Sequence, residues 1–241
     1  AGSDAARSTA AAAAIDFARA TGNEAFERAS LAAMVEATPQ HLAAWDALAR
    51  LEEKRATGAG REVYARLLAL RARDIEAHLH YSLFLFEKDR PDDAFRHLEE
   101  QADRGSQPAV ALDQIAALRL RRGETKQARA TIDRLAEEFP RHPRTELAKS
   151  RMALVEKRYD DAAGGLRRYL EREETAEGRK LLAVAELRRR NVPAATAAID
   201  RALQLAKDPE PDLLRLEATV RGRAGDHPGV LRALDRLARE S

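Results

Sequence analysis

An all-α solenoid of about seven helix-turn-helix units is the fold this sequence predicts, on three observations. Alanine returns at Ala94, Ala128, Ala162 and Ala195, with separations of 34, 34 and 33 residues by subtraction. Each is followed four residues later by a large apolar side chain: Leu98, Ile132, Leu166 and Ile199. No stretch alternates apolar and polar residues for long enough between turn residues to make a strand. A small residue once per period lets two helices approach closely, and the larger residue one turn later fills the contact. Units of this kind bury their faces only against neighbours, so the period predicts a long array rather than one central core.

Residues 1–7 read as a disordered start in which Ala1-Gly2-Ser3 looks like a cloning scar. Residues 8–241 read as a single array, with repeats near 8–40, 41–74, 75–107, 108–142, 143–175, 176–209 and 210–241. In the first, the run Ala10 to Ala14 pairs with Phe26, Leu31, Met34 and Val35, and Pro39 closes the unit. The second opens on Trp45-x2-Leu48-Ala49 and continues through Val63, Tyr64, Leu67 and Leu68, with Arg61 in place of the small residue. The first helix of the third carries Leu79, Tyr81, Leu83, Phe84, Leu85 and Phe86, apolar nearly all round. A solenoid helix needs one wet face, so this surplus means either burial by an adjoining unit or a binding patch.

The fourth unit is the clearest. Leu112, Ile115, Ala116, Leu118 and Leu120 form the apolar pattern of its first helix, and Gly123 ends that helix where a left-handed turn is needed. Thr125 is expected to cap the second helix, Ala128, Ile132, Leu135 and Ala136 to form its buried stripe, and Pro140 to stop it. In the fifth, Lys149 stands where Leu is expected, and Gly164-Gly165 inside a helix admits a close neighbour. Pro91, Pro193 and Pro228 fall just inside second helices, where a missing N–H costs nothing. The seventh unit places Val230 and Leu234 in register behind Gly225-Asp226. Its last helix is expected to end at Ser241 without a polar cap, which suggests an excised segment of a longer protein.

Composition narrows the function classes. The 42 basic and 40 acidic residues nearly balance, so no overall field draws in nucleic acid. Residues 1–120 carry 15 basic and 19 acidic groups, and residues 121–241 carry 27 and 21, so the C-terminal half suits an acidic partner. The simpler reading of these charges is a set of solvated helix faces with i,i+4 pairs. Without cysteine there is neither a disulfide framework nor a thiolate nucleophile. No apolar run reaches the ~20 residues of a membrane span.

Candidate chemistry is sparse. His78 and His80 are two apart, on different sides of a helix, and cannot chelate one ion, although His97 in the partner helix could approach one of them. His41, His142 and His227 fall in turns. Asp92-Asp93 and Asp160-Asp161 open second helices, where negative charge complements the helix dipole. Arg119-Leu120-Arg121-Arg122 and Arg188-Arg189-Arg190 close first helices at the negative end of the dipole, without aromatic residues interleaved to stack bases. No metal, no cofactor and no catalytic residue is assigned.

Trp45-x2-Leu48-Ala49, Gly123, Ala128-x3-Ile132 and Pro140 resemble the tetratricopeptide repeat over nearly the whole chain, with Glu52 departing where an aromatic is usual. The resemblance implies a right-handed superhelix whose first helices line a concave, partner-binding face. Mapped here, the groove residues are Asp46, Arg50, Leu79, Leu83, Asp113, Leu120, Lys180 and Arg215. The family's chaperone-tail binders use Asn and Lys, and Asn23 and Asn191 are the only asparagines present. Arginine outnumbers lysine 35 to 7, as in a GC-rich bacterial genome. In overall character the chain is similar to the periplasmic repeat scaffolds of exopolysaccharide exporters such as the Pel system. That similarity implies a non-catalytic platform near an outer-membrane barrel that docks a polysaccharide deacetylase or hydrolase in biofilm formation, with no direct membrane insertion of this segment. The alternatives are a regulatory or substrate-recruiting arm of an enzyme and a cytoplasmic adaptor. Oligomeric state is open.

Overall fold

The computed structural model describes residues 9–206 and 209–238; the expectations for residues 1–7 and for an end at Ser241 lie outside the described residues. Fourteen helices, with no strand among the described residues, follow one another as hairpins. The pairs are α1 (Gly2–Thr21) with α2 (Glu24–Ala37), α3 (Leu42–Arg55) with α4 (Ala59–Leu70), α5 (Ile75–Glu87) with α6 (Pro91–Arg104), and α7 (Pro108–Arg121) with α8 (Thr125–Glu138). They continue as α9 (Pro143–Val155) with α10 (Tyr159–Leu170), α11 (Ala176–Arg188) with α12 (Val192–Leu205), and α13 (Pro211–Arg223) with α14 (His227–Arg239). Two compact units divide the chain, residues 1–111 and 112–241.

In the first unit Leu31, Met34, Val35, Trp45, Leu48, Val63, Tyr64, Leu67 and Phe84 form one buried cluster. Trp45 Nε1 donates to Pro39 O at 2.9 Å, which fastens α3 to the turn before it. Phe26, expected inside, is 41% exposed. The small residue of the second hairpin is Gly60, not Arg61. Helix α4 starts at Ala59 behind the left-handed Gly58, and a Cβ on Gly60 would collide with the Phe84 ring and lie 2.7 Å from Ala49 O. In α5, Phe84 and Leu85 are buried, and Leu79, Tyr81, Leu83 and Phe86 are half-buried, so most of its surplus apolar surface is covered.

A histidine pair joins α5 to α6. His78 Nε2 lies 3.0 Å from Ala72 O, which can only accept, so in the neutral ring this nitrogen carries the proton and Nδ1 accepts. His97 Nε2 therefore donates to His78 Nδ1 at 2.9 Å, with the rings stacked 5.0 Å apart. Burial, followed by the adjacent His78, lowers the pKa of His97 to about 4.

The second unit buries Leu147, Ala162, Ala163, Leu166, Tyr169, Leu182, Ala183, Ala195, Ala198, Ile199, Leu213 and Val220 as one cluster. Gly123 makes the expected left-handed turn at φ +74°. The equivalent turns at Asp89, Lys157 and Arg190 also have positive φ without glycine. Thr125 is the first residue of α8 and not its cap. The first helical bond runs from Ala128 N to Glu124 O at 2.9 Å, which makes Glu124 the capping position, and its side chain forms no cap bond. Lys149 is exposed while Leu147, Ala148 and Ser150 are buried, so the core slot of α9 lies to either side of it. In α14 the buried residues are Gly229 and Ala233, whereas Leu234 is 46% exposed, which moves the register one residue back from Val230. With Gly60 and Gly229 included, small residues recur at intervals of 34, 34, 34, 33 and 34.

Three outcomes test this packing. Ala128 is fully buried, so Ala128→Arg is expected to lose about 3 kcal/mol or more in chemical denaturation; Arg129, 53% exposed and paired with Glu156, should lose less than about 1 kcal/mol as Arg129→Ala. A Cβ on Gly165 would strike Ser150 Oγ, whereas on Gly164 it meets only Arg168 Nη1 at 3.6 Å. Gly165→Ala should therefore lower the melting temperature, and Gly164→Ala should raise stability by roughly 0.5–1 kcal/mol through helix propensity. Folding favours neutral His97, so the stability it contributes is complete above the ordinary histidine pKa and is lost as pH falls from about 6.5 towards 4. Between pH 6.5 and 5, His97→Gln should reduce the slope of stability against pH by up to about 1.4 kcal/mol per unit.

Candidate functional site

First helices touch one another, α3 with α5, α9 with α11 and α11 with α13, and the predicted groove residues sit on α3, α5, α7, α11 and α13. In the first unit Asp46 on α3 accepts from the Tyr64 hydroxyl of α4 and pairs with His80 Nδ1 of α5. The hydrogen bond to Asp46, against the cost of burial, raises the pKa of His80. Burial and then Asp46 raise that of Tyr64. Four residues on, Arg50 Nη1 meets Glu87 Oε2 of α5 at 2.5 Å. Leu79 and Leu83, half-buried on α5, border His80 and Ser82 in sequence. Tyr64, Tyr81 and Phe84 back this corner, with ring centroids 5.1 Å from Tyr64 in both cases.

In the second unit Asp113 on α7 is only 2% exposed. One of its oxygens pairs with Arg151 Nη1 and the other with Arg144 Nη1 at 3.3 Å. Arg151 Nη2 goes on to Glu177 Oε1 on α11 at 2.7 Å, and Arg144 Nε lies 3.6 Å from Glu173. Burial opposes the charge on Arg151, but Asp113 and Glu177 outweigh it and keep the guanidinium protonated. Burial likewise works against Glu177, and Arg151 holds it below the usual carboxylate range. Asp113 is thus enclosed: it reaches the surface only through the arginines that it orients.

The other predicted residues are less connected. Leu120 is half-buried near the end of α7. Lys180 on α11 lies 3.9 Å from Glu210, and Arg215 on α13 pairs within its own helix with Asp212 at 2.8 Å. Sequence reasoning weighed His80 only as a metal ligand and Tyr64 only as an apolar position, and it missed Glu87, Arg144, Arg151 and Glu177. One signal was available. Asp46 and His80 are 34 residues apart, one period, while Arg144 and Arg151 stand 31 and 38 from Asp113, one period less or more one helical turn.

The remaining candidates resolve into structure. No group of three or more potential metal ligands converges among the described residues. His41 and His142 cap α3 and α9, their Nδ1 atoms accepting from Ala44 N and Arg144 N, each at 3.2 Å. His227 opens α14. Asp93 and Asp161 pair with Arg96 and Arg158 in the first turns of α6 and α10. The arginines that close first helices make internal contacts, Arg119 to Gln127 O and Arg189 to Asp160 and Glu186. No described helix is long and apolar enough to cross a membrane.

No protein-family model and no curated protein matches the chain. Solved structures do. Yeast Tom70 superposes with a TM-score of 0.62 at 13% identity, over 99% of this chain and 56% of that one. A chain of the APC/C hetero-tetramer Cut9-Hcn1 gives 0.58 at 13% identity, over 92% and 44%. A tetratricopeptide repeat protein from Parabacteroides merdae gives 0.57 at 13% identity, over 97% of this chain and 93% of its own. Likeness at this identity concerns the backbone alone, and it establishes that the chain has the fold of the tetratricopeptide repeat arrays.

Proposed function

We propose that this chain is a non-catalytic scaffold that docks another protein along its first helices. The observation that carries the reading is the chain of charge running from Asp113 through Arg151 to Glu177, across α7, α9 and α11. Asp113 and Arg151 are buried and hold Glu177, the exposed end of the chain, before any partner arrives, so little of its side-chain freedom is lost when one docks. In the first unit Asp46, His80, Arg50 and Glu87 form a comparable wall between α3 and α5. A surface of this kind confers specificity and orientation through charge rather than chemistry on a bound molecule. Asp46, Arg50, Leu79, Leu83, Leu120, Lys180 and Arg215 are the proposed contacts, with Asp113 supporting them from beneath.

The proposed partner is a polysaccharide deacetylase or hydrolase, and the proposed setting is the periplasm, within exopolysaccharide export. Support comes from the resemblance in overall character to exporter scaffolds, the absence of cysteine from the sequence and the bacterial arginine bias. We further propose that residues 8–241 act as one array.

The test is capture from bacterial periplasmic and cytosolic extracts on the immobilised chain, with Arg50→Glu/Lys180→Glu/Arg215→Glu as the groove variant and Arg129→Ala as the control outside it. A polysaccharide-modifying enzyme from the periplasmic extract, weakened at least tenfold by the triple variant and unchanged by the control, is expected. A single clean partner from cytosol overturns the export setting and favours the adaptor. Binding that ignores the triple variant overturns the groove.

A further inference from the structure

Three consecutive hairpin turns in the second compact unit carry cations that no carboxylate of these turns matches. They join α9 to α10, α11 to α12 and α13 to α14, and the hairpins pack in series, α9 and α10 on α11, then α11 and α12 on α13. The carboxylates in or beside these turns, Glu156, Asp160, Asp161, Glu186 and Asp226, are each paired with another arginine. Lys157, Arg188, Arg190 and Arg223 are exposed, and their side chains form no ion pair among the described residues. Two of them are held against backbone preference: Lys157 and Arg190 sit at φ +61°, the left-handed position that Gly225 fills in the next turn. Between the first two turns opens a cleft of about 530 Å³ lined by Lys157, Arg158, Tyr159, Arg188 and Arg189, and by the already paired aspartates. Val155, 50% exposed, holds the position in its hairpin that Arg188 and Arg223 hold in the following two, at intervals of 33 and 35 residues by subtraction.

We propose that this edge docks an acidic helical segment of a partner protein, on a surface separate from the groove along the first helices. Four surplus cations select an anion, and Val155 selects its kind. Packed helices lie about 10 Å apart, so Val155, Arg188 and Arg223 form a row of one apolar and two cationic positions, with Lys157 and Arg190 beside it. Residues seven apart on one face of a helix are about 10.5 Å apart, so a helix presents an apolar side chain and then two carboxylates at the same step. A guanidinium takes a carboxylate through two parallel hydrogen bonds, and the cleft between Lys157 and Arg188 admits a further acidic side chain from the same segment. A polyuronate or a nucleic acid offers charge to the cations but no apolar side chain to Val155. The strained lysine and arginine have a purpose on this account, because their charge serves a contact that the chain itself does not contain.

The probe is a fluorescent helical peptide of about 21 residues with Leu, Glu and Glu at successive heptad positions of one face, titrated with the full chain and read by anisotropy. A Kd on the order of 10 µM at about 0.1 M salt is expected. Lys157→Glu/Arg188→Glu/Arg190→Glu should raise it at least tenfold, and the groove variant Arg50→Glu/Lys180→Glu/Arg215→Glu should leave it unchanged. The reversed positions are exposed, so the helical circular-dichroism spectrum should be kept. Arg188→Gln/Arg223→Gln, which leaves the left-handed turn positions alone, should raise Kd several-fold without any change of charge sign. Val155→Ser and replacement of the peptide's Leu by Ser should each weaken binding, and the two together no more than either alone. Absence of binding overturns the proposal, as does binding that survives the charge reversal or ignores the peptide's Leu. Equal or tighter binding of polygalacturonate, phosphatidylglycerol vesicles or an oligothymidine strand overturns it too, and loss of the peptide in the groove variant alone assigns it to the first helices instead.

Discussion

Close approach of two helices at one small residue per hairpin is the constraint on which this molecule is built. At Gly60 a methyl group would already press on the carbonyl of Ala49 and on the Phe84 ring, so the hairpin and the packing behind it depend on one absent side chain. Ala94, Ala128, Ala162 and Ala195 repeat the arrangement with the smallest side chain that still favours helix, and all four are fully buried. Everything between these points is freer. Trp45, Leu112 and Leu182 do similar work in different hairpins, because a leucine-sized cavity can be filled in several ways while a place with no room can be filled in only one.

This asymmetry explains which parts of the fold were legible in the sequence. Hairpin order, turns and the alanine period are local or strictly periodic, and they read directly. The register slipped by one residue in the second and seventh units, where Arg61 and Val230 sit beside Gly60 and Gly229. A pattern built on alanine passes over glycine, although glycine meets the same steric demand more completely. Caps were missed for another reason. His41 and His142 use an imidazole nitrogen as acceptor, outside the usual Ser, Thr, Asp and Asn set, whereas Thr125, a member of that set, lies one place too far along.

The candidate site was legible only in outline. Positions on the first helices could be chosen from the period, and Asp46, Arg50 and Asp113 do lie in charged networks. Their charged partners come from other hairpins and leave no local trace. Burial of Asp113 is the clearest case: nothing near it in sequence distinguishes a carboxylate facing water from one enclosed by two guanidinium groups 31 and 38 residues away. Removal of those arginines would leave an uncompensated buried charge, the costliest kind of vacancy in a helical interface. The network is therefore costly to break whether or not it adds net stability.

Arginine's dominance over lysine takes on a structural meaning in this setting. A guanidinium donates in several directions from one rigid plane, and the crossings use that property. Arg151 joins Asp113 to Glu177, Arg189 joins Asp160 to Glu186, and Arg144 joins Asp113 to Glu173, each linking carboxylates on separate elements. An ammonium on a flexible stem lacks the fixed fork to hold two such groups at once. A share of the arginine excess is thus demanded by stacked helices with acid on both sides, independently of the base composition of any genome. It follows that composition is a weaker pointer to bacterial origin than its bare ratio suggests.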